Sequence, residues 1–342
     1  MPADKTLVTD AKKLLRLTHS YFRAHGASAT ARKAVSFLST RAGHDRPEAE
    51  ALLSAESVLR RSCPELTPLG VFTIPRTRPR LNLLLDDLSV RRLYGGNGTA
   101  VLLGLLFAER QGFDLRLITR RRRADPQGFA HLTQLLGITL PGQIEFKHVD
   151  CAGPVVDVDM GTRELFLTTS CATTLATLRT TAPDQIVFLV QDDERLRHPC
   201  GDQRLRCEAA LKTPRLTLLV SSKMLFSHLE RDGLPDLATR GRWFEPAAPA
   251  ELFFPPPAAT APLRFFYSAQ PHSPRHLFYL GLSAIEQASA LGILSKEKWE
   301  LHFAGNEIPP VSLPGQLVPK LYEDLSGSAY AALVRKMDLG MS

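Results

Sequence analysis

The chain has no C-x-x-C pair: Cys63, Cys151, Cys171, Cys200 and Cys207 form an odd, scattered set of five. That argues against a disulfide framework and a zinc knuckle, and for a reducing compartment. Aromatic residues are scarce at 7% and do not interleave with the basic clusters. The stacking platform of a nucleic-acid binder is therefore missing, and no nucleic-acid partner is expected. The longest apolar run, around "AVLLGLLFA", is roughly half of the ~20 residues that a membrane span needs. "MPADKTLVTDAKK" lacks the apolar core of a signal peptide, so a cytoplasmic location is expected. The ten histidines show no H-E-x-x-H or other metal spacing, and neither a metal nor a cofactor is expected.

The length of 342 residues is enough for two domains of ordinary size. The net charge of +7 is concentrated locally. "ITRRRRADP" places Arg120 to Arg123 together, and "RLRHPCGDQRLR" adds Arg195, Arg197, Arg204 and Arg206. Such clusters favour anionic partners, namely nucleotides or, as a peripheral contact, the headgroups of a membrane surface. The plainer reading of the Arg120 run is a solvated loop.

Residues 1–75 read as a helical extension, with apolar residues at three- and four-residue spacing in "DAKKLLRLTHSYFRA" and "EAEALLSAESVLRR". From about residue 78 strands and helices alternate. "RLNLLLDDL", "FDLRLIT", "QIEFKHV", "RELFLTTS", "QIVFLVQD" and "RLTLLVSS" are strand candidates, and helical segments fall between them. This predicts a parallel, doubly wound sheet over residues 76–244. The proline- and alanine-rich stretch 245–262 reads as a stiff linker. The alternation restarts over 263–342 with "LRFFYSA", a helix from Pro274 to about Gly292, "WELHFAG", "SAYAALVRKM" and "DLGMS". The expected class is α/β and GT-B-like: two Rossmann-like parallel-sheet domains, the second incomplete and ending on its third strand.

"RLYGGNGTAVLLGLLFAERQG" places Gly95, Gly96, Asn97 and Gly98 between a strand-like and a helix-like run. It is no dinucleotide fingerprint, because Val101 stands where the third glycine belongs and no acidic residue ends the next strand. No Gly-Lys-Ser/Thr follows, so it is no Walker loop either. Free amides at the start of the helix can still receive an anion. The alternative is a turn that needs positive φ.

Several segments taken together resemble the WsaF-type rhamnosyltransferase family. They are residues 80–119, "ELFLTTSCATTLATL", "FLVQDDE", "GRWFEP", "FFYSAQPHSPRHLFYLGLSAIEQA", "WELHFAG" and "YAALVRKMDLGMS", in order over roughly 78–342. The resemblance implies a GT-B glycosyltransferase that takes a nucleotide-activated deoxysugar, typically dTDP-rhamnose, and passes it to a glycan acceptor in polysaccharide assembly. It also implies that the family continues beyond "DLGMS", so the chain is expected to lack a carboxyl-terminal end. Gln270 stands where the family has a basic residue, and Arg275 is the candidate substitute. Cys171 and Ala172 stand where the family commonly has paired tryptophans.

With that resemblance, Asp192, Asp193 and Glu194 become the candidate catalytic carboxylates, since closely spaced acids repel and one can rise toward the range of a general base; the plainer reading is an exposed acidic loop paired with Arg195 and Arg197. Candidate substrate-binding residues are Gly95, Gly96, Asn97, Gly98, Ser170, Gln191, Gln270, Arg275, Gly305 and Asn306. Alternatives are a nucleotide-sugar epimerase-like GT-B enzyme or a non-catalytic nucleotide- or glycan-binding protein, with a dinucleotide oxidoreductase ranked last.

Overall fold

A computed structural model describes residues 54–342 apart from 89–95, 136–141, 154–155, 199, 248–249, 251–252 and 255–261. Gly95, residues 1–53 of the expected helical extension and most of the expected linker lie outside the described residues.

Seven parallel strands form the larger sheet, in chain order β2 (Arg80–Leu85), β3 (Asp114–Thr119), β4 (Ile144–His148), β6 (Glu164–Thr168), β7 (Ile186–Val190), β8 (Thr217–Ser221) and β9 (Gly241–Phe244). Their spatial order is β4-β3-β2-β6-β7-β8-β9. The chain winds outward from β2 to one edge, returns, and winds outward from β6 to the other. The order therefore reverses between β2 and β6, and ligands of such sheets bind beyond the carboxyl ends of the strands at that point.

Strand faces alternate, so one strand serves two cores. Leu81, Leu83 and Leu85 pack on Ala100, Val101, Leu105 and Ala108 of helix α2 (Gly96–Gln111), with α1 being Ala55–Ser62. On the opposite face Leu84, Ile118, Phe166 and Phe188 meet Cys171 of α4 (Cys171–Leu178; α3 is Pro126–Leu135) and Ala210 of α5 (Asp202–Leu211). Each such buried leucine or phenylalanine contributes about 1.5–3 kcal/mol. Helix α2 stops at Gly112, whose φ of 67° ends the turn without steric cost.

The second sheet is also parallel, with spatial order β12-β11-β10-β13. Its strands are β10 (Leu263–Ala269), β11 (Trp299–Gly305), β12 (Lys320–Glu323) and β13 (Leu339–Met341). Helix α8 (Phe278–Ala290) packs Phe278 and Ile285 on Phe265, Tyr267 and Phe303, and α9 (Gly327–Val334) covers Phe266 from the other face through Leu333. Helices α6 (Lys223–Arg231) and α7 (Leu237–Arg240) belong to the larger sheet.

The structure adds strands that the sequence pattern does not show. "GRWF" is the seventh strand of the larger sheet, and "KLYE" is β12, so "DLGMS" supplies the fourth strand of the second sheet and not the third. Within the stretch expected to be helical, β1 (Gly70–Thr73) pairs in parallel with β5 (Asp157–Met160). The long helix expected from Pro274 is a short 3₁₀ turn, Pro274–His276, and then α8, separated by Leu277 at φ 49°. The Arg120 run is not uniformly solvated. Arg121 to Arg123 are exposed, but Arg120 is buried and donates from Nη2 to the Thr67 carbonyl.

Candidate functional site

The carboxyl ends of β2, β6 and β7 converge at the switch point. Asn97 donates from Nδ2 to the Asp87 carbonyl at 2.9 Å, tying the start of α2 to the segment after β2. Thr169 donates from Oγ1 to the Leu84 carbonyl at 2.9 Å, tying the end of β6 to β2. Gly96 and Gly98 lie inside the first turn of α2, and neither has positive φ. What Gly96 requires is space: a Cβ there meets Gln191 Nε2 at 3.2 Å. Gln191 Nε2 in turn donates to the Gly96 carbonyl at 2.9 Å. The glycine-rich helix start and the segment after β7 thus share one site.

Ser170 caps α4. Its Oγ accepts from the Thr173 amide at 3.2 Å while the Thr173 hydroxyl accepts from the Ser170 amide at 3.0 Å. The neighbouring Cys171 thiol is pushed up by contact with Cys207 and by burial, which keeps it a protonated, inert thiol.

The three acids after β7 turn to three different partners. Asp192 pairs through Oδ2 with Arg275 Nη1, across from the first sheet to the second. Asp193 is buried and clamped by Arg195, which donates from Nε at 2.8 Å and from Nη2 at 2.7 Å. His228 Nε2 also lies 3.2 Å from Asp193 Oδ2. Burial pushes the Asp193 carboxyl up, but the Arg195 hydrogen bonds and charge outweigh it and hold it below the usual range. Burial likewise pushes Glu194 up, against the Arg197 charge and a hydrogen bond from the Cys171 amide, and here burial wins. Repulsion by Asp192 is the smallest contribution to that rise. Desolvation, not crowding of acids, therefore separates these carboxylates.

Asp193, His228 and Asp232 have ligand atoms within 4.8 Å of one another, a set able to hold a cation. A guanidinium already stands among them, since Arg195 Nη2 also donates to Asp232 Oδ2 at 2.8 Å.

The second sheet contributes the segment after β10. Gln270 is half-buried at the strand end, and the turn Pro274–His276 packs against the turn Glu194–Arg197. Between these segments lies a cavity of about 230 Å³ lined by Arg197, His272, Ser273, Pro274 and Arg275. Arg275 Nε donates to His276 Nε2 at 3.3 Å, and burial, then the Arg275 charge, lowers the His276 pKa. Gly305 ends β11 against the Ala269 carbonyl, leaving no room for a Cβ. Its glycine is a demand of strand packing, and Asn306 beside it is exposed.

Of the residues expected at the site, Gly96 meets Gln191, Asp192 meets Arg275, and Asn97 joins the segment after β2. Arg197, which the sequence offers only as one member of a basic cluster, lines the cavity itself. A second groove, about 440 Å³, lies between the second sheet and α9, with Arg264, His302, Lys320 and Lys336 along an apolar wall of Leu325, Leu333 and Met337. No described helix is long and apolar enough to cross a membrane.

Two parallel sheets of doubly wound order, flanked by helices, define a mixed α/β protein with Rossmann-like sheets. Residues 263–342 match the family described as WsaF, C-terminal domain, which supports a WsaF-type glycosyltransferase assignment. No curated protein matches the chain.

Proposed function

We propose that the protein is a GT-B rhamnosyltransferase-like enzyme that moves a deoxysugar from a nucleotide donor, dTDP-rhamnose or a near equivalent, to a glycan acceptor of surface-polysaccharide assembly. The observation that carries this reading is the cavity lined by Arg197 and Arg275, between the turns that follow β7 and β10. With about 30 Å³ per water, its 230 Å³ corresponds to roughly eight waters, room for a diphosphate.

Glycosyl transfer breaks the bond between the anomeric carbon and the diphosphate oxygen, and the electron pair leaves with the diphosphate. Arg275 and Arg197 supply fixed positive charge there, and the α2 start supplies amides and the positive end of its dipole. The acceptor hydroxyl oxygen forms the new bond to the anomeric carbon, and its proton passes to a carboxylate. We assign that carboxylate to Asp192, which faces the second sheet, and not to Asp193 or Glu194, which are buried under Arg195 and in the sheet end respectively. Asp193 holds the turn in place, and the Ser170 cap positions α4 at the acceptor side.

The departure at Gln270 favours a non-catalytic binder only if no other cation reaches the donor. Arg275 lines the cavity and supplies that charge. A thermal-shift titration tests the reading. Stabilisation by dTDP or UDP but not by NAD, lost in Gly96→Val without loss of fold, supports it. A response to NAD alone refutes it.

A further inference from the structure

The basic side chains lining the cavity are already engaged by the chain's own carboxylates. Arg275 pairs with Asp192, Arg197 Nε lies 3.4 Å from Glu194 Oε1, and His272 Nε2 lies 2.8 Å from Glu307 Oε2. The first of these pairs joins the end of one sheet to the end of the other. Its side chains are 25% and 32% exposed, so water reaches the pair. The neighbouring Arg195–Asp193 pair is 6% and 5% exposed, doubly hydrogen-bonded, and fixed.

We propose that Asp192–Arg275 is a latch that the donor displaces. An entering diphosphate takes the Arg275 guanidinium, and Asp192 is released as a free carboxylate beside the transfer site only while the donor is bound. This rests on the nucleotide-sugar reading above and adds to it an order of events.

The exchange is chemically balanced. A guanidinium stays charged and carries forked donors that fit carboxylate and phosphate alike. A diphosphate brings more negative charge and more acceptor oxygens than one carboxylate, so it wins the competition. The released carboxylate keeps its charge, and no proton moves until an acceptor hydroxyl arrives. In the empty protein the same contact holds the two sheets together and occupies Asp192, so a lone acceptor finds no free base. The partly exposed pair is weak enough to be opened at a cost of less than about tenfold in affinity.

The test is isothermal titration of the full chain with dTDP, comparing the native protein, Asp192→Asn, Arg275→Gln and the double variant. Removing the competing carboxylate is expected to tighten dTDP binding about two- to fivefold. Arg275→Gln is expected to weaken it at least tenfold, and the double variant to match Arg275→Gln within about twofold, because Asp192 competes through Arg275 alone. Asp192→Ser must tighten binding in the same way, and thermal unfolding of each variant confirms the fold. Unchanged or weaker binding in both Asp192 variants overturns the latch and leaves the nucleotide-sugar reading standing. If no form binds dTDP or UDP, the nucleotide-sugar reading fails, and the latch fails with it.

Discussion

Arg195 grips Asp193 with two hydrogen bonds, Nε at 2.8 Å and Nη2 at 2.7 Å, although the two residues are only two apart in sequence. The clamp folds the segment after β7 back on itself. It buries one acid and leaves the preceding one, Asp192, facing the second sheet.

Removing that guanidinium strands a buried carboxylate. Arg195→Met is expected to destabilise the protein by about 3–5 kcal/mol, because the loss of one partner leaves the other charge uncompensated. Urea unfolding at neutral pH measures this. Since the folded Asp193 carboxyl lies below its ordinary value, its contribution is present above the unfolded pKa and is lost as pH falls through the folded one. The penalty of Arg195→Met is therefore expected to shrink in acid.

Glu194 gives the opposite slope. Burial raises its pKa, so the protonated form suits the folded state, and stability is lost as pH rises from the unfolded value through the folded one. Glu194→Gln is expected to flatten this decline. The same unfolding series run from acid to neutral pH reads it, and an unchanged slope would place the raised group elsewhere.

Gly305 and Ala269 make the third prediction. Their strands lie so close that Gly305→Ala drives a Cβ into the Ala269 carbonyl. Backbone must move, and a loss of about 1–3 kcal/mol or more follows. At Gly96 the obstacle is the flexible end of Gln191, so Gly96→Ala is expected to keep the fold while shifting that amide. Thermal melts of the two variants separate the cases.

The amino ends of the larger sheet's strands hold a buried polar network. Arg80 Nη2 donates to Glu164 Oε1 at 2.7 Å, Arg116 Nε to Asn82 Oδ1 at 2.6 Å, and Asn82 Nδ2 to Glu164 Oε2 at 2.5 Å. Asp159 of β5 covers both arginines, at 2.9 Å from each. Glu164→Leu is expected to cost at least about 3 kcal/mol in guanidinium unfolding, leaving charges unpaired. It is also expected to leave dTDP binding unchanged, because the network lies at the strand ends away from the groove.

A strand buried on both faces announces itself in the sequence as an apolar run, as "IVFLV" does. "KLYE" and "GRWF" do not, since they are short edge strands with exposed polar residues. Arg80, Asn82 and Arg116 alternate with leucines, and nothing in that local pattern marks them as buried. The β1–β5 pair buries them, a consequence of tertiary pairing that no local pattern encodes. The glycine-rich helix start and the acids after β7 were legible as single elements. Their meeting through Gln191, and the pairing of Asp192 with a residue 83 positions away, follow only from the folded chain.

The most direct measurement is a crystal structure of the full chain soaked with dTDP. The account predicts both phosphates between Arg197 and Arg275, beside Gly96, with Asp192 no longer on Arg275. Nucleotide bound instead in the groove of Arg264, His302 and Lys336, or an intact Asp192–Arg275 pair beneath a bound diphosphate, would contradict it.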